Sequence, residues 1–243
     1  MSEVLKPHLL GMRQADLQSS LASYGIPEKK TRYHSRQIFR WIYQNKAASI
    51  DQMTDLSKEV RSYLSQNISF DSLELTKQQN SSDGTQKFLF KLSDDQTIES
   101  VLIPSGARIT ICISSQVGCA MGCKFCLTAT MGFIRNLQVH EIVGQVYELS
   151  KISKITNIVF MGMGEPLHNL ENVARAIEIL LSQDGLNFSK RKITVSTSGL
   201  VPAVRKFNER LKGENRVNLA VSLNASTDTQ RESIMPINQA FPI

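Results

Sequence analysis

Three of the four cysteines in this 243-residue chain lie within eight consecutive residues. Cys119, Cys123 and Cys126 follow the spacing C-x3-C-x2-C, and Phe125 directly precedes the last of them. Cysteine thiolates are the usual ligands of iron–sulfur clusters, and a four-iron cluster normally takes four of them. Three thiolates on one short loop would therefore leave one iron without a protein ligand. The spacing predicts a [4Fe–4S] cluster at which a small chelating molecule can bind.

The open iron indicates chemistry as well as structure. The amino and carboxylate groups of S-adenosylmethionine could chelate it, and an electron from the cluster could then generate a radical that abstracts hydrogen from an unactivated carbon. Two alternatives remain open. With Cys112 the loop could form a four-thiolate zinc site, or the four residues could be ordinary core cysteines. An electron-transfer ferredoxin is disfavoured, because only three cysteines lie close together.

A glycine-rich segment, residues 161–166 with the sequence MGMGEP, follows a predicted strand. Glycines allow a ligand to approach the backbone closely, and a carboxylate can accept hydrogen bonds from an ammonium group. We therefore interpret Gly164 and Glu165 as part of a site for the amino-acid portion of S-adenosylmethionine. Leu167 stands where a dinucleotide-binding loop should have its last glycine, so that kind of loop is not favoured.

Two further predicted strands end in small polar residues, in the segments Ser196-Thr197-Ser198-Gly199 and Ser222-Leu223-Asn224-Ala225. Ligand contacts in α/β proteins are expected at the C-terminal ends of strands. Ser and Asn at such positions can also simply cap the following helix.

The elements that position these residues follow from the periodicity of apolar residues. Helices are predicted over 15–24, 35–44 and 57–66, and four β-rich runs over 73–78, 86–92, 97–103 and 109–114. Strands and amphipathic helices then alternate, which indicates an α/β layer or barrel. We expect a helical accessory domain at 1–70, a β-rich connecting segment, or meander, at 71–104, and the main α/β core at 105–243.

The charge and composition of the chain indicate which binding partners and which cellular compartment to expect. The formal net charge is +6 and the sequence pI is about 9.2, and the first 70 residues carry +4 of that charge. Because Arg32, Arg36 and Arg40 are spaced one helical turn apart, we hypothesise a helical module that binds RNA phosphates. A solvated helix face is the alternative. The absence of a long apolar segment excludes a membrane helix, and the clustered cysteines favour a reducing cytoplasm.

Residues 111–126, ICISSQVGCAMGCKFC, resemble the signature of the RlmN/Cfr family of radical S-adenosylmethionine RNA methyltransferases. Other segments match this family in the same order, namely 37–43 (QIFRWIY), 53–58 (MTDLSK), 162–167 (GMGEPL), 190–191 (KR), 196–199 (STSG), 222–225 (SLNA) and 235–238 (MPIN). The resemblance covers essentially the whole chain. It favours the enzymes that methylate adenine C2 in ribosomal and transfer RNA over the C8-methylating relatives.

The resemblance implies a partial (βα)6 radical-SAM barrel, preceded by a small helical RNA-binding domain and a β meander. It implies a [4Fe–4S] cluster and S-adenosylmethionine as cofactors. The cluster would be held by Cys119, Cys123 and Cys126. The S-adenosylmethionine site would be lined by Gly164, Glu165, Ser196, Ser222, Leu223 and Asn224. The family usually has histidine where Asn224 stands, and asparagine can still form hydrogen bonds there.

Two further residues match positions to which the family assigns a role in catalysis. Glu99 would accept the proton that leaves the substrate, and Cys112 would form a transient disulfide with a second cysteine that carries the methyl group. The ordinary interpretations are a solvated strand carboxylate for Glu99 and a buried strand cysteine for Cys112.

The resemblance also implies partners. The substrates would be an adenosine in the peptidyl-transferase region of 23S rRNA and the adenosine beside the anticodon of certain tRNAs, with an electron donor such as flavodoxin. We expect a monomer without a membrane partner. The resemblance places the methyl-carrying cysteine in a later part of the chain, but no cysteine follows Cys126 in this sequence. We therefore expect a fragment that binds both cofactors and does not complete methyl transfer. The non-enzymatic alternative is a zinc-stabilised RNA-binding protein.

Overall fold

The structure is a computed structural model that describes residues 6–243. Residues 1–5, the start of the predicted helical domain, lie outside the described residues. Three α-helices form the N-terminal region: α1 (Gln14–Ser23), α2 (Glu28–Tyr43) and α3 (Lys58–Asn67). Short 3-10 helices lie at Leu9–Gly11 and Ile50–Gln52. The predicted helical N-terminal region is therefore confirmed.

Helix α2 begins seven residues before its predicted start at residue 35. Its first two turns, with the sequence EKKTRYH, carry almost no apolar residues, so the helical period is not visible there. Helix α3 starts as predicted, because the Ser57 hydroxyl accepts a hydrogen bond from the backbone nitrogen of Val60 at 3.3 Å. Such a cap satisfies a free N–H group of the first turn and typically contributes about 1 kcal/mol.

Seven strands form one mixed sheet in chain order: β1 (Glu74–Asn80), β2 (Gln86–Lys91), β3 (Thr97–Ser105), β4 (Arg108–Cys112), β7 (Asn157–Phe160), β8 (Ile193–Thr197) and β9 (Asn218–Val221). The first four strands pair antiparallel, and β4, β7, β8 and β9 pair parallel. A separate antiparallel pair is formed by β5 (Gln116–Gly118) and β6 (Phe133–Asn136). The predicted α/β class is confirmed. The four antiparallel strands continue the same sheet as the parallel strands.

Helices connect and cover the parallel strands. They are α4 (Leu127–Thr130), α5 (Val139–Ile152), α6 (Leu170–Leu181), α7 (Val201–Arg210) and α8 (Asp228–Ile234), with 3-10 helices at Pro166–Asn169, Lys190–Lys192, Gly213–Asn215 and Pro236–Gln239. None of the described helices is long and apolar enough to cross a membrane.

The strand register gives the sheet two different faces. Ile111, Ile158 and Ile193 lie side by side on β4, β7 and β8, are fully buried, and share one apolar core with α5 and α6. Each such side chain contributes about 1.5–3 kcal/mol through burial. Because side chains alternate along a strand, the neighbouring residues Cys112 and Val159 point to the opposite, less buried face.

The N-terminal helices pack directly on this core. The Tyr147 hydroxyl donates a hydrogen bond to the Ala47 carbonyl at 2.6 Å. Arg13 contacts Glu178 at 3.0 Å, and Arg175 contacts Asp16 at 3.0 Å. Buried apolar residues from Leu9 to Val217 form one continuous cluster.

Candidate functional site

The cysteine loop is held by the β5–β6 hairpin, which directly follows the end of β4. The backbone nitrogen of Cys119 donates a hydrogen bond to the Gly132 carbonyl at 2.9 Å and closes the loop at its base. Gly118 has φ +74°, and a Cβ atom there would lie 1.8 Å from the Gly132 oxygen. Only glycine therefore allows the two strands of the hairpin to meet at this point.

The far side of the loop is anchored to the C-terminal end of α8. The backbone nitrogen of Lys124 donates to the Ile234 carbonyl at 2.9 Å, and the nitrogen of Cys126 donates to the Cys123 carbonyl at 3.1 Å. Two widely separated segments thus fix the loop, which presents its three thiols from a defined backbone.

The three loop thiols fit an iron–sulfur cluster. All four cysteines of the chain are free and partly buried. Burial is the main cause that raises the pKa of Cys119 and Cys123, and the charges of Cys126 and Glu165 raise both further. Thiols that destabilise one another's charge lie close together, and a bound cation would favour their thiolate forms. The loop therefore brings three thiols together beside Glu165, where a bound cation would convert them to thiolate ligands.

Cys112 stands apart from the other three cysteines. Burial raises its pKa to about 11, and none of the loop cysteines contributes to that shift. Within residues 6–243, no group of three or more His, Cys, Asp or Glu side chains is arranged to hold a single metal ion. The four-thiolate zinc site therefore has no geometric support. A cluster differs in this respect, because each thiolate binds a different iron.

The glycine-rich segment after β7 lies against the strand that leads into the cysteine loop. Ser115 donates from its backbone nitrogen to the Met163 carbonyl at 2.8 Å, and Glu165 donates from its backbone nitrogen to the Gln116 side chain at 2.8 Å. At Gly164, which has φ +99°, a Cβ atom would lie 2.5 Å from the side chain of Gln116. The glycine is required by this close contact and by its left-handed backbone.

The Glu165 side chain connects the loops that follow β7 and β8. It is 3% exposed. One carboxylate oxygen accepts from the Leu167 backbone nitrogen at 3.1 Å, and the other accepts from the Ser198 backbone nitrogen at 2.7 Å and from the Ser198 hydroxyl at 2.9 Å. The sequence interpretation of Glu165 as a ligand for an ammonium group did not include these contacts. Ser198 lies in the polar segment expected to contact a ligand, but its bonds to Glu165, like that of Gln116, join residues more than 30 positions apart and have no local sequence signal.

The remaining predicted ligand residues lie at the same ends of β8 and β9. The Ser196 hydroxyl donates to the Phe160 carbonyl at 3.0 Å, and the Ser222 backbone nitrogen donates to the Thr197 carbonyl at 2.9 Å. Leu223 and Asn224 are exposed, and Asn224 has a left-handed backbone with φ +58°. The structure thus brings the loops after β7, β8 and β9 together at one edge of the sheet.

Glu99 and Cys112 occupy the same face of neighbouring strands. Val101 on β3 is the register partner of Cys112 on β4, and Glu99 lies two residues before Val101. The Glu99 carboxylate forms an ion pair with Lys87 at 2.9 Å. Its backbone carbonyl accepts from the Ser114 hydroxyl at 2.6 Å. Lys87 lies in none of the sequence motifs, so only this ion pair identifies it as a partner of Glu99.

Comparison with known protein families gives two matches along the chain. The model described as the radical SAM superfamily matches residues 113–240. The model described as the ribosomal RNA large subunit methyltransferase N-terminal domain matches residues 7–69. The first match covers the cysteine loop and the loops after β7, β8 and β9, and the second covers α1 to α3.

Individual relatives agree with these matches. The protein named dual-specificity RNA methyltransferase RlmN from Geobacter sulfurreducens is 55% identical over 223 residues, which are 92% of this chain and 61% of that protein. The protein of the same name from Anaeromyxobacter dehalogenans is 45% identical over 247 residues, covering 98% of this chain and 64% of that protein. This chain therefore spans less than two thirds of the length of these relatives.

A solved structure has the same fold. The crystal structure of a radical SAM methyltransferase from Sphaerobacter thermophilus matches with a TM-score of 0.87 and 42% sequence identity, over 98% of this chain and 69% of that chain. The family match spans more than half of this chain, and the radical SAM family uses a [4Fe–4S] cluster and S-adenosylmethionine. The chain therefore belongs to the radical SAM superfamily, in the RlmN/Cfr family to which its RlmN-named relatives belong.

Proposed function

We propose that this chain forms the cofactor-binding part of a radical S-adenosylmethionine enzyme that methylates adenine C2 in 23S rRNA and tRNA. The observation that carries the proposal is the joining of the cysteine loop to the glycine-rich loop through the contacts of Ser115 and Gln116 with Met163 and Glu165. These contacts support the proposal, because they join the loop that carries the three thiols to the loop expected to bind the amino-acid portion of the cofactor.

The cofactors would divide between two sets of residues. Cys119, Cys123 and Cys126 would hold the [4Fe–4S] cluster. The S-adenosylmethionine site would be lined by Gly164, Glu165, Ser196, Ser222, Leu223 and Asn224. When bound, the two cofactors supply a radical that can abstract hydrogen from an unactivated carbon, which suits adenine C2 because that carbon is not nucleophilic.

Residues of this chain would handle the proton and the thiol chemistry. Glu99 would accept the proton that leaves the adenine, with Lys87 orienting its carboxylate at 2.9 Å. The Cys112 thiolate would attack the sulfur of a methyl-carrying cysteine and form a disulfide with it, while the sulfur–carbon bond to the adenine breaks and its electron pair leaves with the base. Because burial raises its pKa to about 11, the Cys112 thiol stays protonated near neutral pH until a base removes the proton.

The N-terminal helices would bind the RNA. Arg32, Arg36 and Arg40 form an exposed stripe on α2, in which Arg36 is partly neutralised by Asp184 at 3.1 Å. Such a stripe contacts phosphates without reading sequence. The target base must be extruded from the RNA to reach the site. The proposed enzyme would be a cytoplasmic monomer that receives electrons from a flavodoxin-like donor.

The proposal is tested by anaerobic purification and reconstitution of the chain, followed by iron and sulfide analysis and by an assay for reductive cleavage of S-adenosylmethionine. We expect about four irons per chain and formation of 5′-deoxyadenosine and methionine. One zinc with no iron would contradict the proposal and would favour a zinc-stabilised RNA-binding protein. Mass spectrometry of rRNA methylated by the whole protein distinguishes C2 from C8 as the modified carbon, and a C8 product would contradict the assigned specificity.

A further inference from the structure

Arg231 on α8 is the largest fully buried side chain of the described residues, with 2% of its surface exposed. Burying a charged group is costly unless every polar atom finds a partner. The guanidinium meets this requirement with neutral acceptors, four backbone carbonyls and one side-chain amide oxygen. A buried cation satisfied in this way fixes the position of several carbonyl groups at once.

Three of the five acceptors of Arg231 lie on two loops of the proposed S-adenosylmethionine site. Its Nη2 atom donates to the Ser198 carbonyl at 2.6 Å and to the Ser222 carbonyl at 3.2 Å, and its Nε atom donates to the Leu223 carbonyl at 3.1 Å. Ser198 follows β8, whereas Ser222 and Leu223 follow β9. The guanidinium therefore ties together the ends of two neighbouring strands.

The same network reaches the loop after β7. Ser198 accepts from Arg231 at its carbonyl and donates to the Glu165 carboxylate from its nitrogen and hydroxyl. Gly199 allows this close packing, since it has φ +106° and a Cβ atom there would lie 3.2 Å from Nη2 of Arg231. Glu165, Ser198 and Arg231 thus connect the three strand-end loops in one chain of hydrogen bonds.

We propose that Arg231 is a positioning residue for S-adenosylmethionine, which acts by holding the loops of Ser198 and Ser222–Leu223 at the spacing that the cofactor requires. This inference rests on the proposed function of the site. Arginine suits the task because its planar guanidinium presents five N–H donors in a fixed fork. A lysine ammonium donates from one nitrogen and cannot span the same five acceptors.

The test replaces Arg231 with lysine, which keeps the charge and removes the fork. The unsubstituted chain and Arg231→Lys are reconstituted anaerobically, and S-adenosylmethionine binding is measured by isothermal titration calorimetry, with circular dichroism and thermal melting giving the folded fraction. We expect unchanged iron content and an affinity for S-adenosylmethionine that is about 10- to 100-fold weaker, as for other supporting residues of a binding site. Arg210→Lys is the matched control, since Arg210 forms ion pairs with Glu171 and Glu178 away from these loops, and its affinity should be unchanged.

The outcomes separate the two proposals. Equal affinity in Arg231→Lys and the unsubstituted chain overturns the positioning role alone, as does a loss no larger than the unfolded fraction of the variant. An unsubstituted chain that binds no S-adenosylmethionine contradicts the proposed function and the positioning role with it. If Arg231→Lys does not fold, Asn238→Ala tests the same network, because Asn238 accepts from Nη1 of Arg231 at 2.7 Å. We then expect affinity to fall by about threefold to tenfold, the usual effect of one hydrogen bond, and no change overturns the inference.

Discussion

The Glu165 carboxylate accepts two hydrogen bonds from Ser198, one at 2.7 Å from the backbone nitrogen and one at 2.9 Å from the hydroxyl. The two residues are 33 positions apart and lie on loops that follow neighbouring parallel strands. A buried carboxylate with several donors holds these loops together more firmly than a neutral group would. The shape of the proposed cofactor site therefore depends on the charge of Glu165 as well as on its size.

Glu165→Gln should weaken S-adenosylmethionine binding by about tenfold and lower the free energy of unfolding by about 1–3 kcal/mol. The amide keeps the shape of the side chain. However, it turns an N–H group toward a donor from which the carboxylate accepts a hydrogen bond, and that bond is lost. Calorimetry and chemical denaturation of the reconstituted chain measure the two effects. Glu171→Gln is the control, because its exposed ion pair with Arg210 contributes little. An affinity in Glu165→Gln equal to that of the control would contradict the prediction.

Gly118→Ala should abolish cluster incorporation. The new Cβ atom would meet the Gly132 oxygen at 1.8 Å and would force the two strands of the hairpin apart. Iron and sulfide analysis after anaerobic reconstitution measures the effect. Gly106→Ala separates this clash from simple backbone strain, since Gly106 also has a positive φ, +57°, but among residues 6–243 no atom other than those of its chain neighbours lies within 4 Å of its Cβ position. We expect Gly106→Ala to cost about 1 kcal/mol of stability and to retain its iron. Full iron loading of Gly118→Ala would show that the hairpin tolerates separation.

Cys112 should react slowly with iodoacetamide at neutral pH. In a variant with alanine at Cys119, Cys123 and Cys126 it is the only thiol of the chain. Because burial raises its pKa from 9.0 to about 11, the thiolate fraction at pH 7.5 should be about 100-fold smaller than for an exposed cysteine. The alkylation rate, followed by mass spectrometry, should rise with pH up to about pH 11. The same protein unfolded in denaturant is the control, and equal rates in the folded and unfolded states would refute the prediction.

The contact between His8 and His140 should make stability depend on pH. The rings stack at 4.3 Å between the N-terminal segment and α5. Burial, and next the charge of His140, lower the pKa of His8 from 6.5 to about 4. The unfolded chain binds the proton more readily, so stability is fully present above pH 6.5 and falls as the pH drops toward 4. Because His8 is partly exposed, the pKa shift overstates the effect, and the free energy of unfolding should decrease by about 1–2 kcal/mol.

Urea denaturation of the apo chain at pH 4 to 7.5 measures this loss, and the slope of stability against pH should become smaller in His8→Gln. A slope that is the same in both proteins would show that other groups cause the pH dependence.

Removal of positive charge from α2 should weaken RNA binding without affecting the cofactor site. Lys29, Arg32 and Arg40 are exposed, and their joint replacement by glutamine removes three candidate phosphate contacts. The RNA-binding constant K falls as the salt concentration rises, and the magnitude of the slope of log K against log salt concentration should decrease by about 1 for each lost phosphate contact. Filter binding to an rRNA fragment at several salt concentrations measures it. Joint replacement of Lys77, Lys154 and Lys212, which are also exposed, is the charge-matched control. Equal slopes in the two triple variants would place the RNA elsewhere.

The sequence determined the local elements and the sulfur ligands. The Ser57 cap of α3, the alternation of strands and helices after Cys126, and the three-cysteine loop depend on neighbours within a few residues, so patterns and spacing are sufficient to predict them. The first turns of α2 were missed, because their helical conformation depends on packing of residues such as Thr31 and Ser35 that carry no apolar period.

Only the tertiary structure determined how the site is held together. Strands β5 and β6 have three and four residues, too few for an alternating pattern, so only the tertiary structure shows that they pair and that Gly118 lies opposite Phe133. The partners of Glu165 and Arg231 come from loops that are distant in sequence and meet only when β7, β8 and β9 pair in parallel. A buried carboxylate and a buried guanidinium are stable only where such partners converge. Long-range strand pairing, which local spacing does not encode, therefore decides which polar residues support the cysteine loop and its expected ligand.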